Sequence, residues 1–77
     1  MVTKLFFTFD IPLDKPSFRV KAWRILKKMG AEQKMRSYWL LPYTERNLSD
    51  LKTLGREIVK SGGLAEIVEG NVIYITR

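Results

Sequence analysis

The hydrophobic period of this chain changes from two to three-four and back, twice over, and that succession limits the folds open to it. Leu5-Phe6-Phe7-Thr8-Phe9 is a short apolar, aromatic run closed by Asp10 and Pro12, which reads as a buried first strand. A helix is expected from near Pro16 to Gly30, because Phe18, Ala22, Ile25, Leu26 and Met29 keep the spacing of a core-facing stripe. Proline in its first turn and glycine past its end suit a helix start and stop. Glu32 to Met35 and Ser37 to Leu41 then read as two strands, the second closed by Pro42. A second helix is expected from about Asn47 to Ser61, with Leu48, Leu51, Leu54 and Ile58 inward and Asn47 or Ser49 as N-cap. Gly55 inside it costs about 1 kcal/mol relative to alanine unless close packing needs the gap. After Ser61-Gly62-Gly63 the tail alternates through Ala65, Ile67 and Val68, meets Gly70-Asn71, and resumes as Val72-Ile73-Tyr74-Ile75. That ending is either a two-residue hairpin or one long strand with a bulge. The order predicts a single α+β domain over residues 1–77 with the ferredoxin-like βαββαβ plan. One antiparallel sheet carries both helices on one face, with an extra C-terminal strand.

Alternation puts Leu5, Phe7 and Phe9 on one face of the first strand and Phe6, Thr8 and Asp10 on the other. Later strands also carry large apolar residues on both faces, as in Tyr38 and Leu40 against Trp39 and Leu41. A sheet apolar on both sides is covered on both sides, and two helices cover only one. A domain of 77 residues buries only about 60% of its unfolded surface. Without cysteine or histidine it has no disulfide, no thiolate chemistry and none of the usual zinc sites. A homodimer is the expected supplement to the core.

Charge is local rather than general. Lys15, Arg19, Lys21, Arg24, Lys27, Lys28, Lys34 and Arg36 stand against one acid, Glu32, so residues 15–36 carry +7 where the whole chain carries +6. On a helical wheel Lys21, Arg24, Lys27 and Lys28 fall opposite the apolar stripe. No acid within the helix relieves their repulsion, which suggests a polyanion such as nucleic acid as the partner. Lys34 and Arg36 are expected to add phosphate contacts. Arg19 lies at the margin of the apolar face, either packed on Trp23 or aimed at the strand ends to meet Asp10 or a phosphate. Asp10 is either a turn former before Ile11-Pro12 or a magnesium ligand, which would need a second carboxylate across a dimer axis.

Trp23, Tyr38, Trp39 and Tyr43 are able to stack on bases, but their positions favour core packing, with Tyr43 the most exposed. The glycines form no phosphate loop, and no paired-acid, nucleophile-elbow or Rossmann pattern occurs. No apolar run approaches the roughly 20 residues of a membrane span. Met1-Val2-Thr3-Lys4 lacks a signal peptide's cleavage site, so the expected location is cytoplasmic.

Phe9-Asp10-Ile11-Pro12, Arg19, Trp23-Arg24-Ile25-Leu26, Met29-Gly30-Ala31 and Tyr38-Trp39-Leu40-Leu41-Pro42 resemble the N-terminal domain of the chromate-resistance regulator ChrB. Ser61-Gly62-Gly63-Leu64-Ala65 resembles that family's second helix-to-strand junction. The same frame is similar to the small CRISPR-associated spacer-acquisition subunit, the Cas-two family, which opens with a strand ending in Asp-Ile before a basic helix. The Cas-two resemblance implies a homodimer that binds nucleic acid, DNA or RNA. Asp10 would match the aspartate tied to magnesium-dependent endonuclease activity in some members, and others act as a scaffold for an integrase partner. Met35 and Leu40 depart from that family's usual glutamine and acid, which bears on nuclease activity more than on the fold. The ChrB resemblance implies instead a stand-alone regulatory or scaffold module without catalysis.

Overall fold

A computed structural model describes residues 3–36 and 38–73. Four strands and two helices follow in the order β1 (Lys4–Asp10), α1 (Pro16–Lys28), β2 (Glu32–Met35), β3 (Tyr38–Pro42), α2 (Glu45–Lys60) and β4 (Leu64–Gly70). The sheet is antiparallel with strand order β2-β3-β1-β4, so β1 is central, paired to β3 on one side and β4 on the other. This is the expected ferredoxin-like arrangement.

Both helices lie on the face of Leu5 and Phe7. Those two side chains form one core with Trp39 and Leu41 of β3, Ala22 and Leu26 of α1, and Leu51, Leu54 and Ile58 of α2. The period-two and three-four patterns thus converge on a shared layer. Ala65 and Ile67 of β4 pack against it from the side.

Several boundaries differ from the sequence reading, each for a local reason. β1 gains a residue at each end, and Asp10 is its last residue, paired with Leu64. α1 ends at Lys28, and Gly30 takes the left-handed conformation at φ 83° that glycine adopts without strain. α2 starts two residues earlier than expected. Its N-cap is Thr44, extended at φ −141°, whose Oγ1 accepts a hydrogen bond from the Asn47 amide at 2.9 Å. Asn47 instead lies inside the first turn and donates through Nδ2 to the Pro42 carbonyl at 3.0 Å. β4 runs unbroken to Gly70, and residues 71–73 form no strand. The Tyr74-Ile75 part of the expected extra strand, and Ser37 at the expected start of β3, lie outside the described residues.

The far face of the sheet has no helix over it. It carries Phe6, Tyr38, Leu40, Leu64 and Val68, and the Phe6 and Tyr38 rings stack with centroids 5.9 Å apart. Leu64 is 73% exposed and Val68 about half exposed. No helix among the described residues is long and apolar enough to cross a membrane.

Candidate nucleic-acid interface

The helical wheel sets three aspects of α1 in solvent, and the fold gives each a different neighbour. Arg24 and Lys27 point outward, and Lys27 Nζ lies 5.7 Å from the centre of the Trp23 ring. Lys21 and Lys28 lean toward α2. Lys21 meets Glu57 at 3.8 Å, and Lys28 lines a cavity of about 560 Å³ with Arg46, Asp50 and Glu57. Arg19 and Trp23 lean the other way, toward the end of β1.

The relief missing within the helix is therefore supplied in part from outside it, by Glu57. The pair is exposed on both sides, so its contribution is small and it competes weakly with a ligand. Lys34 does not join the helical group. It sits at the β2 irregularity between Gln33 and Met35, pairs with Glu32 at 3.1 Å, and its side chain is only 24% exposed.

On the opposite flank of α1, a groove of about 900 Å³ opens where β1 ends. Asp10 closes β1 at its mouth, and Arg19 and Trp23 contribute from α1. Gln33 and Arg36 reach it from β2 and the following turn, and Trp39 of β3 lines it from the core side. Gln33 Nε2 donates to the Arg36 carbonyl at 3.0 Å, tying that turn to β2. Among the described residues Asp10, Arg19 and Arg36 form no ion pair. Three predicted site residues from distant parts of the chain thus share one groove. Arg19 lines the groove beside Asp10 without pairing to it.

Two aromatic expectations are corrected. Trp23 is 46% exposed rather than packed in the core: it lines the open groove, with Lys27 over its ring. Tyr43 is half-buried rather than the most exposed aromatic: it packs against the core and its hydroxyl donates to Glu45 Oε1 at 3.3 Å. The Glu45 charge, followed by desolvation and Glu69, raises its pKa above the usual tyrosine value. Trp39 is buried as expected, but its indole N–H has no hydrogen-bond partner among the described residues. A buried donor without an acceptor costs about 1–3 kcal/mol, and no linear pattern announces it.

The donor set bears on magnesium. Among the described residues no three acids, histidines or cysteines come together, and Asp10 shares its groove with two guanidinium groups. One chain therefore does not fit a hard divalent cation, which needs several oxygen ligands.

No protein-family model matches the chain, and no curated protein does. Among solved structures, it is similar to a hypothetical protein, TT1823, from Thermus thermophilus, with a TM-score of 0.61 and 23% identity over 100% of this chain and 89% of that one. At that identity the likeness shows a common fold.

Proposed function

We propose that this chain is a nucleic-acid-binding module that works as a homodimer, as the Cas-two resemblance implies. One observation carries the reading. α1 has no acid, and among the described residues only Lys21 of Lys21, Arg24, Lys27 and Lys28 has a carboxylate partner, at 3.8 Å in solvent. Cations left unpaired and exposed along one helix are free to neutralise phosphates, and releasing the condensed counterions then drives association. Arg19 and Arg36 extend the basic surface around the Trp23 edge of α1. The uncovered apolar sheet face supports the dimer, with Phe6, Tyr38, Leu64 and Val68 as the surface a second copy would cover.

Cleavage is a separate matter. A magnesium site at Asp10 would require a carboxylate from the second copy, and no cleavage step is derived from one chain. An integrase-type partner belongs to the same resemblance and would find its place on the assembled dimer.

Binding of labelled duplex DNA and single-stranded RNA across a salt series tests the proposal. Contacts from the four α1 cations give a log–log slope of about −3 to −4 on duplex, at roughly 0.9 per phosphate. The Lys27→Glu/Lys28→Glu double variant reduces the slope by about two units. No binding of either probe at low salt would overturn the reading and favour the regulatory or scaffold module, with a protein as partner.

A further inference from the structure

Three groups in the groove at the end of β1 are hard to reconcile with a plain anion site. Arg19 and Arg36 would hold a phosphate, but Asp10 in the same groove repels one. A ligand that satisfies all three must present an anionic group together with N–H donors. The groove also carries apolar surface that folding has left in water. Leu13 is 84% exposed, and Val20 and Trp23 about half exposed, along one wall. Such a concentration at a concave site is what a flat apolar ligand face would cover. The buried, unpartnered indole N–H of Trp39 lies in the residue lining the core side.

We propose that this groove holds one unpaired nucleotide of a bound nucleic acid, its base against Trp23 and its phosphate between Arg19 and Arg36. Asp10 accepts from the N–H groups on the base edge. The proposal rests on the nucleic-acid reading above and adds a preference within it. Trp23 joins the two surfaces, because the ring that walls the groove is the ring under Lys27 of the outward row. A duplex lying on that row would bring its end to the groove, and a single-stranded overhang would supply the unpaired base. Stacking on an aromatic side chain is tolerant of base identity, while Asp10 favours bases with an exocyclic amino group, so adenine, cytosine and guanine are preferred over thymine.

Both tryptophans of the chain line this groove, so intrinsic fluorescence reports on it directly. The experiment titrates the full chain, in chelator to prevent cleavage, with a short DNA duplex, the same duplex bearing a deoxyadenosine overhang, and free adenosine monophosphate. The expected result is binding about tenfold tighter to the overhang duplex than to the blunt one, with quenching of tryptophan emission by the overhang. Trp23→Ala and Arg36→Ala, both at exposed positions, each bring that ratio close to one, with circular dichroism confirming the fold. Equal affinity for both duplexes without quenching would overturn the groove proposal and leave the basic row standing. Quenching by adenosine monophosphate with no duplex binding would keep the groove and remove the row. Failure of all three probes to bind would overturn both.

Discussion

At the scale of single residues, Gly63 sets how closely the chain entering β4 approaches the end of β1. β4 begins beside the end of β1, and a Cβ at Gly63 would overlap the Asp10 carbonyl oxygen and approach the Ile58 side chain to 2.9 Å. Neither neighbour can yield freely, since one is backbone in the central strand and the other is fully buried. Gly63→Ala is therefore expected to destabilise the fold by about 1–3 kcal/mol in chemical denaturation, as overpacking does. An unchanged midpoint would mean that β4 shifts without cost and does not fix the end of β1. Asp10 itself was legible as the end of a strand. Arg19 beside it was one of two open readings, but Gln33 and Arg36 were not legible, because β2 and its following turn bring them there.

Element by element, propensity and packing agree except at one position. α2 is capped by Thr44, buries Leu51, Leu54 and Ile58, and places Gly55 against the sheet. The sequence left open whether Gly55 is required by close packing. An added Cβ there would lie 3.6 Å from Ala65 Cβ and 4.0 Å from Phe7 Cε1, which is ordinary contact. Gly55→Ala should then raise the unfolding free energy by about 0.5–1 kcal/mol, through helix propensity and the unfolded chain's lower entropy. Destabilisation would show that α2 sits closer to the sheet than these distances allow. α1 differs, since its polar aspect faces three environments at once. A wheel ranks residues by angle around one axis, so it placed Arg19 at the margin correctly. It could not tell that Glu57 waits beside Lys21, or that a groove opens beside Trp23.

At the scale of the whole molecule, the two faces of the sheet are unequal. Among the described residues the helix face is closed over a core with no buried charged residue, while the other face leaves Leu64 and Val68 in water. If that face joins two copies, Val68→Lys places a charge in the contact and shifts sedimentation toward monomer. The parent chain is expected to sediment as a dimer at the same concentration. A parent chain that sediments as a monomer would leave the face to another partner and remove the dimer from the proposed function.

The order of the elements and most inward residues of β1, α1 and α2 were readable along the chain, because strand alternation, helical spacing and turn chemistry act over a few residues. The basic character of residues 15–36 was readable for the same reason. Its division was not: Lys21 went to Glu57, and Arg19 and Arg36 to a groove with Asp10. Those assignments depend on how strands and helices cross in space. Contacts between residues far apart in sequence leave no period to read, and only the packed fold could decide them.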